Sequence, residues 1–239
     1  MSKKLFNSNG KQYAGDTPPT NDQVDDKSSA DMTIYASLKN WDTGAFVPVS
    51  DSGGVYYGGY QGWLTDENIS KFWANRSCGV TAAANMLYYI TKNVSGKSAL
   101  YTKNDITKAS FSAFQREIYD HSLSPAFYGI PGYSTMKRKV ENWASSRNVP
   151  LSAHQFKGVW NITNVRNYIA EGLNAERPVL LQTWYSPIPE LAWHWVTVTK
   201  IYNDGTDKIL TSNWGKKAVY DFEKWCKGSG IYKSVLYFD

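Results

Sequence analysis

The reactive side chains of this 239-residue chain are few: two cysteines and three histidines. Cys78 opens the run SCGVTAAANMLYYI, which otherwise reads as a buried helix, with Val80, Ala83, Ala84, Leu87 and Tyr88 recurring at three- and four-residue steps. A thiol is a nucleophile only as thiolate, and its unperturbed pKa is ~8.5. At a helix start the free backbone N–H groups and the helix dipole favour negative charge, so this is where a cysteine is most readily activated. Gly79 would leave room for a substrate carbonyl, and the amides of the turn could donate to a developing oxyanion. The competing reading is a small cysteine in a core helix. Cys226, in EKWCKGSG, has neither a histidine nor a helix start nearby and is read as structural.

Activation also needs a base. His121 follows REIYD near a helix end, where it could complement the helix dipole, and His154 lies in a short possible strand, LSAHQF. His194 sits in AWHWVTVTK and shares a strand face with Val196 and Val198. The dipeptide Asp204-Gly205 downstream is a hairpin-turn signal. With a two-residue turn there, His194 falls opposite Gly215 and Asn213 becomes its diagonal neighbour on the same face. Diagonal partners lie ~7–8 Å apart at Cα, so a carboxamide could hold one ring nitrogen and leave the other for the thiol. A slip of one residue would spoil this arrangement.

These elements must be positioned by a fold that changes character along the chain. Residues 1–33, rich in Asp, Ser, Lys, Pro and Gly, predict a flexible polar arm ahead of one domain over 34–239. Residues 51–64, DSGGVYYGGYQGWL, read as a Gly- and aromatic-rich loop able to approach another surface closely. Helices are predicted over 78–90, about 104–120, 134–147 and 161–176, the last capped by Asn161 or Thr163. Five β-rich runs follow, at 177–185, 193–202, 207–214, 218–222 and 232–238. Helices first and a mostly antiparallel sheet after them predict an α+β, two-lobed arrangement.

Taken in order, SCGVTAAANML, ERPVLLQTW, HWVTVTKIYNDG and SNWG resemble the papain-like cysteine peptidases, in the branch related to bacteriocin-leader (double-glycine) peptidases. The resemblance covers about residues 55–239. It implies a helical lobe carrying the nucleophile helix and an antiparallel lobe carrying His and Asn. It also implies Cys78 as nucleophile, His194 as general base and later acid, and Asn213 as the group orienting the imidazole. Trp214 resembles the tryptophan that shields this contact from water, and Trp193 and Gly79 would border the cleft. The chain departs from the family pattern where a Gln about six residues before the cysteine donates to the oxyanion: position 72 is Phe. Asn75 and Gln61 are the candidates to take its place.

Other chemistries find little support. The +5 formal charge is scattered, without an Arg-rich stripe, so nucleic acid is not an expected partner. Two cysteines without a CxxC spacing make neither a disulfide framework nor a zinc site, and no cofactor or metal is expected. SGKS at 95–98 is no P-loop, because the required earlier Gly is Thr91. No apolar run reaches membrane-spanning length. The 10 Trp and 17 Tyr suit either a cleft lining or extra core bulk. The expectation is a monomeric bacterial cysteine peptidase that cuts a peptide or protein through a thioester. The alternatives are a transglutaminase- or acyltransferase-like enzyme with the same triad, and an inactive module binding peptide or glycan. The style suits a secreted or cell-surface protein if a leader has been removed, and a cytoplasmic one as it stands.

Overall fold

A computed structural model describes residues 32–42, 44–228 and 233–239. Nearly all of the predicted N-terminal arm lies outside the described residues. The chain is mixed helix and sheet, α+β as expected, but the helices do not come first. Strand β1 (Thr33–Ser37) and the ribbon β2 (Pro48–Asp51)–β3 (Gly54–Tyr57) precede them. Thr33, assigned to the arm from sequence, is the first residue of β1. The four-residue strands PVSD and GVYY carry Pro, Ser and Gly, which read as loop; their strand character comes from pairing with each other.

Next come α1 (Lys71–Ala74), α2 (Cys78–Asn93), α3 (Lys108–Ile118) and α4 (Gly132–Ser146). Strand β4 (Ala153–Gln155) and α5 (Ile162–Asn174) follow. The C-terminal part is β5 (Val179–Thr183), β6 (His194–Asn203), β7 (Asp207–Asn213), β8 (Lys216–Asp221), α6 (Phe222–Lys227) and β9 (Lys233–Phe238). The caps follow residue chemistry. The Thr107 hydroxyl accepts from the Ser110 amide in a capping box at α3, and of the two candidates at α5 it is Asn161 that accepts from the Asn164 amide, at 2.8 Å.

Among the described residues the main sheet has seven strands, in the order β4-β9-β5-β6-β7-β8, with β1 beside β6. Every one of these pairings is antiparallel. One edge of β6 is shared: β5 pairs with its first half, His194–Val198, and β1 with its second, Lys200–Asn203. Helix α2 lies on β6, and all thirteen residues from Cys78 to Ile90 are buried. The apolar stripe seen in the sequence accounts for one side of this helix. The opposite side, carrying Cys78, Thr81 and Asn85 at helical spacing, is buried as well. Thr197 on β6 donates to the Ala82 carbonyl at 3.2 Å, tying helix to sheet.

The β6–β7 hairpin differs from its predicted form twice, and the two differences cancel. The loop holds three residues, Asp204, Gly205 and Thr206, so Asn203 pairs with Asp207 and Lys200 with Leu210. This is one step out of the register that Asp204-Gly205 alone would give. A bulge at Thr199 then inserts one extra residue into β6, so that Val198 pairs with Thr211 and Thr197 with Ser212. The register at the site end is therefore the one a two-residue turn would have produced. Neither anomaly leaves polar groups adrift. Asn203 Oδ1 accepts from the Gly205 amide at 3.0 Å, and the Thr199 hydroxyl is bonded by the Tyr57 hydroxyl at 2.8 Å.

The ribbon reaches the sheet through glycines. Gly58 has φ of 87°, and a Cβ there would meet Ser212 Oγ at 2.4 Å and the Asn85 carboxamide at 2.8 Å. Gly58→Ala is expected to destabilise the chain by ~2 kcal/mol or more. Gly96→Ala, with φ of 75° but open space around it, should lose only the left-handed backbone cost of ~1 kcal/mol. Denaturant midpoints of the two variants check this ordering.

Candidate functional site

Cys78, His194 and Asn213 line one small pocket between α2 and the ends of β6 and β7. Thr81, Ala82 and Asn85 add the next two turns of α2; Gly59 and Gln61 come from the loop after β3; Trp195, Ser212 and Trp214 complete the wall. All three predicted side chains are buried, with 3–4% of their surface exposed.

His194 Nε2 and Asn213 Oδ1 are 2.6 Å apart, a short hydrogen bond across neighbouring strands. With Oδ1 on the ring side Nε2 donates, because Oδ1 only accepts. The other nitrogen, Nδ1, is buried without a hydrogen-bond partner among the described residues. On its far side the Asn213 amide donates from Nδ2 to the Tyr220 hydroxyl at 2.7 Å. Tyr220 is a residue that sequence reading missed. It lies on β8, and the Asn213–Lys216 register puts it on the Asn213 face of that hairpin. The signal was present in NWGK: Trp214 and Gly215 form a two-residue turn with φ of 54° and 74°, the sign required by the tightest hairpins.

At Cys78 two influences compete. The N–H groups of Cys78, Gly79 and Trp195 favour the thiolate, as the helix start led one to expect. Burial outweighs them and pushes the thiol up to about 11. The helix-start argument alone, which predicted a lowered value, is thus corrected: the sulfur has too little water around it. Burial likewise pushes His194 down to about 4, partly opposed by its bond to Asn213. At neutral pH the resting site holds a neutral thiol and a neutral imidazole. Ser77 does not cap α2, because its hydroxyl donates to the Trp73 carbonyl at 2.8 Å, so the first amides of the helix are left to the pocket.

The oxyanion candidates separate. Gln61 lines the pocket and is 1% exposed, and its Nε2 donates to the Asn75 carbonyl at 2.9 Å. Asn75 is not part of the pocket wall; its backbone carbonyl holds Gln61 in place. Gly79 also stands corrected. A Cβ there would meet Ile130 Cδ1 at 2.9 Å and Met136 Cε at 3.1 Å, so the glycine admits core side chains rather than a substrate. Phe72 lies on α1 with 41% exposure.

Trp193 and Trp214 precede His194 and follow Asn213, and both have left-handed backbones, with φ of 56° and 54°. This conformation costs an aromatic residue ~1–2 kcal/mol, so surrounding contacts must impose it. Trp193 donates its amide to the Trp184 carbonyl at 2.9 Å and stacks on the Trp184 ring at 5.0 Å. Trp214 lies 5.3 Å from the His194 ring, and the Gly215 carbonyl beside it accepts from the Tyr57 amide at 2.8 Å. A second set of residues missed from sequence supports the wall. Asn85 accepts from the Gly59 amide at 2.8 Å and donates to Ser212 Oγ at 3.1 Å, and Gln115 donates to Thr81 at 2.6 Å. Their signal was the i, i+3, i+7 spacing of Cys78, Thr81 and Asn85.

The other histidines stand elsewhere. His121 packs on Trp143, and His154 stacks on Tyr237 at 4.7 Å beside Asp239. Cys226 is buried in α6, where its carbonyl accepts from Lys233. Among the described residues no group of three His, Cys, Asp or Glu could hold a metal ion, and no helix is long and apolar enough to cross a membrane.

The two shifted groups set a stability window. His194 is neutral in the fold and binds its proton more weakly than in the unfolded chain, where its value is 6.5. Between pH 6.5 and about 4 the unfolded state therefore holds more protons, and stability falls as pH falls. Cys78 keeps its proton longer in the fold, so its contribution is present below 9.0 and lost as pH rises towards about 11. Melting temperature against pH should lose its acid limb in His194→Gln and part of its alkaline limb in Cys78→Ser, each relative to the unsubstituted protein. Compared with known proteins, the chain matches no family model and no curated sequence.

Proposed function

We propose that the chain is a cysteine peptidase with a papain-like two-lobed fold, cutting an amide through a thioester. The observation that carries this reading is the His194–Asn213 hydrogen bond, made inside a pocket that also holds Cys78 at a helix start. In this reading α2 and the helices after it form one lobe, and the sheet from β5 to β9 forms the other. The opening between them is the substrate cleft.

The chemistry follows from the orphan nitrogen. His194 Nδ1 takes the proton of the Cys78 thiol as sulfur attacks the substrate carbonyl. The resting pair is neutral, so the proton moves as the C–S bond forms and no thiolate waits beforehand. The negative oxygen of the tetrahedral intermediate draws on the Cys78 amide and on Gln61, which stands in for the glutamine of the family pattern at a longer spacing. Collapse breaks the C–N bond, and His194 gives the proton to the departing amine. Water, deprotonated by the same nitrogen, then attacks the thioester; the C–S bond breaks, the acid leaves, and His194 returns the proton to the sulfur. Asn213 keeps the imidazole in place throughout.

A second reading is favoured by one specific observation. A thiol pushed up to about 11 in the same pocket as an imidazole pushed down to about 4, with no hydrogen bond between Nδ1 and the sulfur, also fits a dead site in a module that only binds peptide. A peptide vinyl sulfone and a fluorogenic peptide library separate the two. Turnover with Cys78 labelled, Cys226 spared and labelling lost in His194→Ala is the expected result. No turnover by the intact protein, together with an unlabelled Cys78, would leave the binding module. An added amine that intercepts the thioester in place of water would mark an acyltransferase. In an active protein, Gln61→Ala should lower kcat by ~10²–10³.

A further inference from the structure

From the chain of hydrogen bonds running from β8 into the pocket, we infer that Tyr220 is a positioning residue that selects the tautomer of His194 by fixing which end of the Asn213 carboxamide faces the ring. The inference rests on the peptidase reading for its catalytic meaning, but its structural content stands without it.

The chain can be written in two directions. In the first, His194 Nε2–H donates to Oδ1 at 2.6 Å and Nδ2–H donates to the Tyr220 oxygen at 2.7 Å. Nδ1 is then a bare lone pair, which is what the thiol proton needs. In the second, the carboxamide is turned over: the phenol donates to Oδ1, Nδ2–H donates to Nε2, and the ring hydrogen moves to Nδ1. Both directions satisfy the carboxamide. They differ at the phenol hydrogen, which the first direction leaves to solvent at the half-buried Tyr220, and at Nδ1, which is buried and has no partner among the described residues. A lone pair there is tolerated, whereas a buried N–H without an acceptor is among the rarest and costliest of polar defects. The first direction is therefore preferred by roughly 10- to 100-fold.

That preference requires the tyrosine oxygen. Without it, the first direction strands an N–H of Asn213 and the second strands the N–H of Nδ1. Each carries one orphan donor, and the distinction between them is lost. An aspartate at 213 has no such ambiguity. Its oxygens only accept, so Nε2 must carry the hydrogen whatever stands at 220. Tyr220 thus matters because the orienting group is a carboxamide.

The test is ¹⁵N NMR of the imidazole nitrogens in the full chain, with His194 assigned through His194→Gln against His121 and His154. The unsubstituted protein is expected to show the Nε2–H form alone. Tyr220→Phe should show a mixture with the Nδ1–H form, and Asn213→Asp/Tyr220→Phe should return to Nε2–H alone. An Nδ1–H form in the unsubstituted protein, or an unchanged Nε2–H form in Tyr220→Phe, overturns the inference. If Tyr220→Phe does not fold, the unsubstituted protein and Asn213→Asp still decide, because the two must share one tautomer. In an active protein, kcat of Tyr220→Phe should fall in proportion to the Nε2–H fraction that remains. The tautomer is read without substrate. A shift without turnover would sink the peptidase reading and keep Tyr220, while turnover with no shift would do the reverse.

Discussion

A 2.6 Å hydrogen bond between side chains on neighbouring strands is possible only if both leave the same face of the sheet at adjacent rungs. The His194–Asn213 bond therefore fixes the β6–β7 register, and much of the molecule serves that register. Helix α2 lies on the opposite face, where Thr197 and Ser212 bond to Ala82 and Asn85, and its first turn lines the pocket at the strand ends, so Cys78 shares that pocket with the two strand residues. The β3 ribbon closes the remaining side by way of Asn85, Ser212 and the glycines after Tyr57. A one-residue slip between β6 and β7 would turn Asn213 away and leave His194 buried without its acceptor.

What was legible in the sequence was the chemistry carried by single residues and short periods. The helix at Cys78, the five C-terminal strands and the proximity of Asn213 to His194 follow from apolar spacing and one turn signal. The last came out right for an incomplete reason. Asp204-Gly205 belongs to a three-residue loop, and the bulge at Thr199 restores what the loop displaced. Nothing in TVTKI announces a bulge, since Thr199 earns its place through a bond to Tyr57, a residue 142 positions away in the chain. Gly79 misled for a similar reason: a glycine next to a nucleophile suggests room for a ligand, but Ile130 and Met136 occupy that room. The 17-residue separation of Gln61 from Cys78 was beyond spacing arguments, because a short 3-10 helix and α1 fold the intervening chain back on itself.

Burial and polarity are in tension at this site. A helix start and three N–H groups favour charge on sulfur, and the scarcity of water opposes it. The outcome is a neutral thiol and a neutral imidazole in one pocket. The arrangement also explains the density of hydrogen bonds around Asn85, Thr81, Gln115 and Ser212. In a dry wall a polar side chain is stabilised by a protein partner, although Gln115 Oε1 and Trp214 Nε1 have none among the described residues.

The same burial bears on how the sulfur ages. Peroxide and other mild oxidants attack thiolates far faster than thiols and must reach the sulfur to do so. Cys78 offers them little of either, being 4% exposed and protonated past neutral pH. The fold thereby slows oxidation of its only pocket-facing thiol among the described residues. Resistance to oxidation and the high thiol pKa are then one property of the site, set by the burial of Cys78 between α2 and the sheet.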